Sequence, residues 1–172
     1  MTKKLTSIRS LSLEELKSFL GEKSIPKFRS KQIYEWLWKK NAGSFLEMKN
    51  IGKNLQEVLS ENFSIDKIQL KDEQLSNDKT LKCAFSIDEK SVVEGVLIPT
   101  PRRMTACISS QVGCSLACAF CATGKLKLLR NLSAGEIYDQ VYYLKKEAEK
   151  RHDKSLSNIV YMGMGEPLLN YK

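Results

Sequence analysis

Three of the five cysteines of this 172-residue chain fall in the stretch Cys114-Ser-Leu-Ala-Cys118-Ala-Phe-Cys121. Thiolates are ligands for soft metal centres and nucleophiles in redox chemistry, so this C-x3-C-x2-C loop is where the sequence can do chemistry. Three uses compete. A structural zinc site wants four ligands, usually from two paired sets, and the single His152 sits beyond a predicted helix, between Arg151 and Asp153. A thioredoxin-type C-x2-C uses two thiols and leaves the third without a role. A ferredoxin cluster uses four cysteines. Three thiols on a four-iron cluster would leave one iron open, and an open metal position is where a small molecule is held and activated. Plain packing suits another cysteine better: Cys83 alternates with Leu81 and Phe85, as one face of a strand requires.

The elements that must position this loop can be read from hydrophobic period and punctuation. Residues 1–62 read as a small, basic helical domain. Ser12-Leu-Glu-Glu15 is a capping box ahead of Leu13, Leu16 and Leu20, and Gly21 is a stop. Pro26 opens a second helix with Phe28, Ile33, Leu37 and Trp36 toward the core. A second box, Ser44-Phe-Leu-Glu47, precedes a third helix built on Ile51, Leu55, Val58 and Leu59. Residues 63–103 switch to period two, with strands around Leu81, Cys83, Phe85 and Ile87 and from Val92 to Ile98, and turns at Asn77-Asp78 and Asp88-Glu-Lys90. Residues 104–172 begin with a strand over 104–109 that runs into the cysteine loop. A helix capped by Ser133 and Glu136 follows, with Ile137, Val141, Leu144 and Ala148 on its apolar face. A strand from Asn158 then leads to Gly163-Met-Gly-Glu166. Strand, helix and strand make one βαβ unit of a parallel sheet.

Bulk properties narrow the class. Apolar residues make up 42% of the chain, enough for a packed core. No apolar run is long enough for a membrane span, and the N-terminus lacks the apolar stretch of a secretory signal. An odd number of cysteines without such a signal argues against a disulfide framework and for a cytoplasmic protein. The net charge is +8, and residues 1–60 carry 12 Lys/Arg against 6 Asp/Glu. That excess suits a polyanionic partner such as RNA, through counterion release, or simply a solvated lysine surface.

The C-x3-C-x2-C spacing with Phe120 before the third cysteine, on a loop following the first strand of a βαβ unit, resembles the motif of radical S-adenosylmethionine enzymes. The flanking residues are more specific. Val93-Glu94-Gly-Val-Leu-Ile-Pro99, Thr105-Ala-Cys107 through Cys114, Cys118-Ala-Phe-Cys-Ala-Thr-Gly124, Arg130-Asn-Leu132 and Met162-Gly-Met-Gly-Glu-Pro-Leu-Leu-Asn170 resemble the RlmN family throughout, as does the Tyr34-Glu-Trp-Leu-Trp38 helix. This family methylates C2 of adenine in 23S ribosomal RNA and in tRNA. The Cfr enzymes, which methylate C8, share the core motifs.

The resemblance implies an α/β fold with an α+β N-terminal part: a small helical domain, a short antiparallel sheet, and the first βαβ unit of a partial (β/α) radical S-adenosylmethionine barrel. It implies that Cys114, Cys118 and Cys121 bind a [4Fe–4S] cluster. S-adenosylmethionine would chelate the open iron and be cleaved reductively to a 5′-deoxyadenosyl radical, with electrons from a donor such as a flavodoxin system. Gly165 and Glu166 match the motif that meets the amino end of S-adenosylmethionine. Cys107 matches the cysteine that resolves the protein–RNA adduct through a transient disulfide, and Glu94 the proton acceptor. On residue types alone Cys107 is also a packing thiol on a buried strand, and Glu94 a solvent-facing strand residue. Lys125, Lys127 and Arg130 suit either phosphate or solvent. The family is expected to act as a monomer at full length. The family's methyl-carrying cysteine has no counterpart among the five here, and the sequence stops after a strand that a barrel would cover. It therefore reads as the front part of a longer protein, truncated before it could complete the reaction. Two other readings are an RNA-binding module without catalysis and a small iron–sulfur electron carrier, the latter opposed by the lack of a fourth nearby cysteine.

Overall fold

The computed structural model describes residues 5–171. The chain divides into two compact units, Met1–Lys67 and Ile68–Lys172.

The first unit contains β1 (Thr6–Ser7), α1 (Leu13–Glu22), α2 (Arg29–Trp38), α3 (Lys53–Asn62) and β2 (Phe63–Ser64). The Ser12 capping box is formed on both sides: Ser12 accepts from the Glu15 N–H, and the Glu15 side chain accepts from the Ser12 N–H. This satisfies two of the donors that a helix start leaves open. Leu16, Leu20, Ile33, Leu37, Met48 and Leu59 are fully buried in one core with Ile8. Two expectations fail here. Phe28 lies outside the core, 58% exposed, because α2 begins one residue later and a turn from Pro26 to Arg29 directs it outward. The Ser44 box caps no α-helix. Glu47 accepts from the Gly43 N–H and the Ser44 hydroxyl around a single 3-10 turn, and α3 starts at Lys53 behind Gly52, whose φ of +78° is open only to glycine without strain.

The second unit is a five-stranded sheet in the order β3-β4-β5-β6-β9, with α4 packed on β5 and β6. Its strands are β3 (Gln69–Leu75), β4 (Leu81–Ser86), β5 (Val92–Pro99), β6 (Met104–Cys107) and β9 (Asn158–Val160). A separate two-stranded ribbon pairs β7 (Gln111–Val112) with β8 (Arg130–Asn131), and α4 spans Ala134–His152. The register Leu81↔Leu97, Cys83↔Gly95 and Phe85↔Val93 puts the apolar set of β4 and β5 on one face, where all six are buried. Leu144 and Ala148 of α4 close that core. β5 and β6 pair antiparallel across residues 99 and 104, so the antiparallel strands and the βαβ unit share one sheet. β6 and β9 pair in parallel, which is the expected βαβ unit. β3 is exposed along its whole length and carries a register shift between Leu70 and Asp72, two ways of blunting a sheet edge. At the other edge β9 has β6 as its sole sheet partner among the described residues, and Ile159, Tyr161 and Met162 stand exposed there.

Candidate functional site

The cysteine loop is closed at its neck. β7 enters it and β8 leaves it, and the Leu129 N–H donates to the Val112 carbonyl at 2.9 Å. Gly113 stands in the neck at φ +77°, so close to the returning strand that a Cβ there would lie 2.1 Å from the Lys127 carbonyl oxygen. Further out, the Cys121 N–H donates to the Cys118 carbonyl at 3.1 Å, and Gly124 packs on the Cys118 backbone, which a Cβ would meet at 2.9 Å. Between these contacts Leu116 and Phe120 are exposed, Phe120 at 94%.

The five thiols are free and differ in chemistry. The Gly124 N–H donates to the Cys121 sulfur and, against slight desolvation, lowers its pKa with help from Thr123. Burial pushes the Cys83 thiol up to about 12, with Glu73 and Glu147 adding to it. Burial also raises Cys107, against a hydrogen bond from the Met162 backbone. A lowered pKa means more thiolate at neutral pH. In the metal-free chain iodoacetamide should therefore label Cys121 about 10-fold or more faster than Cys83, read by tandem mass spectrometry of the peptides. Equal rates would contradict this ordering.

As donors, the three loop cysteines fit an iron–sulfur cluster: they are partly exposed thiols on one pinned loop, and one is already biased toward thiolate. They are not gathered, however. Among the described residues no three His, Cys, Asp or Glu side chains stand together as a metal site.

The other expected residues are placed as follows. Cys107 ends β6, 9% exposed. Glu94 lies on the opposite face of β5 from Val93 and Gly95, solvent-exposed, with Oε1 3.1 Å from the Lys82 ammonium. Gly165 and Glu166 follow β9, with Gly165 at φ +94° and the Glu166 carboxylate accepting from the Leu168 N–H. Arg130 is committed within the protein: its guanidinium makes two bonds to the Glu136 carboxylate, at 2.8 and 3.0 Å, beside Asp88. Lys125 and Lys127 remain exposed.

Sequence reasoning missed a polar framework behind the loop. The buried Gln140 of α4 holds both backbone groups of Ser109: its Oε1 accepts from the Ser109 N–H at 2.9 Å, and its Nε2 donates to the Ser109 carbonyl at 3.1 Å. The Ser109 hydroxyl donates to the Glu94 carbonyl and accepts from the Met164 N–H. The available signal was a glutamine inside the apolar stripe of Ile137, Val141 and Leu144.

The family described as "Ribosomal RNA large subunit methyltransferase N-terminal domain" matches residues 6–65. Curated relatives named "Probable dual-specificity RNA methyltransferase RlmN" match along most of this chain. The one from Cytophaga hutchinsonii is 55% identical over 95% of this chain and 45% of its own length. The one from Flavobacterium johnsoniae is 53% identical over 95% and 47%. The crystal structure of a radical SAM methyltransferase from Sphaerobacter thermophilus superposes with a TM-score of 0.81 at 36% identity, covering 96% of this chain and 49% of that one. The mixed sheet, α4 and the cysteine loop thus form the N-terminal part of a radical S-adenosylmethionine methyltransferase fold. Within that class the chain matches the N-terminal portion of proteins named RlmN. It spans about half the length of the curated relatives it matches. No helix among the described residues is long and apolar enough to cross a membrane.

Proposed function

We propose that these 172 residues are the cluster-bearing front part of an RNA methyltransferase acting on C2 of adenine in 23S ribosomal RNA and tRNA in the cytoplasm. The observation that carries this reading is the three-thiol loop on the first βαβ unit of a fold matched at TM-score 0.81 by a radical SAM methyltransferase. Cys114, Cys118 and Cys121 would hold a [4Fe–4S] cluster, with the neck at Gly113 keeping them on one loop. When bound, the cluster supplies an electron and an open iron for S-adenosylmethionine. Glu166, presented by the turn after β9, is an acceptor for the ammonium of that cofactor. Cys107 is held as a neutral thiol by burial, which suits a group that must wait for its partner. Glu94 is a solvent-facing acceptor steadied by Lys82. The basic first unit, residues 1–62 in its sequence-level bounds, supplies the RNA contacts. None of the five cysteines present matches the family's methyl-carrying cysteine, so these residues bind cluster and cofactor without completing methyl transfer.

Anaerobic reconstitution with iron and sulfide tests this. The chain should take up iron and show a cluster spectrum that changes on adding S-adenosylmethionine. Cys114→Ala, Cys118→Ala and Cys121→Ala should each remove both signals, and substrate RNA should gain no 2-methyladenosine. A wild-type chain that takes up no iron, or whose iron survives these substitutions, would sink the reading. RNA binding unchanged by all three substitutions, with no iron in the wild type, would favour an RNA-binding module.

A further inference from the structure

We propose that Gln111 is a positioning residue. It ties the neck of the cysteine loop to the turn of residues 163–166 and holds that turn in place for S-adenosylmethionine. The proposal rests on the reading of the loop as a cluster loop.

Gln111 is fully buried, and its amide divides between two elements. Its Nε2 donates to Asn131 Oδ1 at 2.8 Å, across the neck. Its Oε1 accepts from the Glu166 N–H at 2.9 Å. The orientation is forced. A backbone N–H can only donate, so Gln111 must turn its oxygen to Glu166 and its nitrogen to Asn131. Asn131 must then offer its own oxygen, which leaves its nitrogen for the Leu169 carbonyl, 3.3 Å away. The chain of donors therefore closes in one arrangement only, running from the neck through Gln111 to Glu166 and through Asn131 to Leu169.

The packing is equally specific. At Gly165, φ +94°, an added Cβ would lie 2.5 Å from the Gln111 Cβ, so the turn's backbone rests on the glutamine side chain. The start of the turn is held without the Gln111 side chain, by the Ser109 hydroxyl on the Met164 N–H and by the Ser110 and Gln111 backbone N–H groups on the Met164 carbonyl. Gln111 is thus the contact that fixes its far end, where Glu166 stands. A purely apolar side chain would fill the same volume but leave the Glu166 N–H without a partner and free the neck from the turn. Both elements that Gln111 joins carry proposed cofactor contacts, three thiols on one and Glu166 on the other.

Three variants of the chain, reconstituted anaerobically with iron and sulfide, test this. Gln111→Met keeps the shape and loses both bonds. It should load iron like the wild type, speed hydrogen exchange at the Glu166 amide about 10-fold or more, and weaken the spectral response to S-adenosylmethionine about 10-fold. Gln111→Glu keeps an acceptor for the Glu166 N–H and should return both readouts to within roughly 3-fold of the wild type, since a buried carboxyl that stays protonated can donate to Asn131 Oδ1 in place of the amide. Unchanged exchange or unchanged affinity in folded Gln111→Met would overturn the proposal, as would a folded Gln111→Glu that restores neither. If Gln111→Met does not fold, Asn131→Ala decides. Faster Glu166 exchange supports the coupling, and wild-type exchange overturns it. A wild-type chain that loads iron but does not respond to S-adenosylmethionine overturns the cofactor reading and this proposal together. A normal wild-type response with an indifferent Gln111→Met overturns this proposal alone.

Discussion

Gly113→Ala is expected to destabilise the second unit by about 3 kcal/mol or more and to abolish iron loading, although no cysteine is touched. Two costs add at this position. An L-residue held at φ +77° is strained by about 1–2 kcal/mol. The new methyl would also sit 2.1 Å from the Lys127 carbonyl oxygen and 2.8 Å from its carbon. These are backbone atoms, so no rotamer change can relieve the clash, and the neck must open. Opening it removes the bond from Leu129 to Val112 and the longer one from Cys114 to Leu126. Gly52 supplies the control. It has nearly the same φ, +78°, with nothing within 4 Å of an added Cβ. Gly52→Ala should therefore cost only the backbone strain, about 1–2 kcal/mol. Urea unfolding of both variants, with iron content measured after reconstitution, checks the contrast. Equal losses would show that φ alone sets the cost and that the close approach of the neck does not matter.

How much of this was legible in the sequence follows from which interactions are local. Ser12 with Glu15, and Ser133 with Glu136, are three residues apart, and both capping boxes form as read. Leu81, Cys83 and Phe85 alternate because one face of β4 meets the core, so that strand was readable. β3 was not. As an exposed edge it is held by pairing with β4 and by the ion pair of Glu73 with Arg151, and nothing in Gln69–Leu75 requires an apolar period. The β7–β8 ribbon escaped for another reason: two residues per strand are too few for any period, and the partners lie 18 to 20 residues apart. In the candidate site, the three thiols stand out in the sequence because their spacing is itself distinctive. Gln111 and Gln140 do not, because a buried amide means nothing until its distant partners, Glu166 and Ser109, are known. Arg130 shows the converse. Its sequence allowed a phosphate contact, and a carboxylate six residues away in Glu136 takes that capacity.

Phe85→Ala should lower the stability of the second unit by about 4 kcal/mol, a large share of the 5–15 kcal/mol typical of a whole domain. The ring is fully buried and meets Tyr143 edge-on, with centroids 5.3 Å apart. Across the strand pair it lies against Gly95, where a Cβ would come within 2.9 Å of the ring. Gly95 has no side chain to swing into the space the ring leaves, and its backbone is fixed by the β4–β5 pairing. The cavity therefore stays open, and the cost should fall in the upper part of the range for such truncations. The damage should also be confined. The first unit has its own core around Leu16, Leu20, Ile33 and Leu37, which shares no residue with the core around Phe85. Limited proteolysis of the variant should cut within residues 68–171 while a fragment near residues 5–67 survives. Cutting of both units at the same rate would show that they unfold as one. The site should suffer with the second unit. β5 and β6 carry the Glu94 carbonyl and the strand end that anchor Ser109, and Ser109 holds the Met164 turn. Loss of the ring is therefore expected to lower iron retention as well, through the sheet beneath the loop rather than through the thiols.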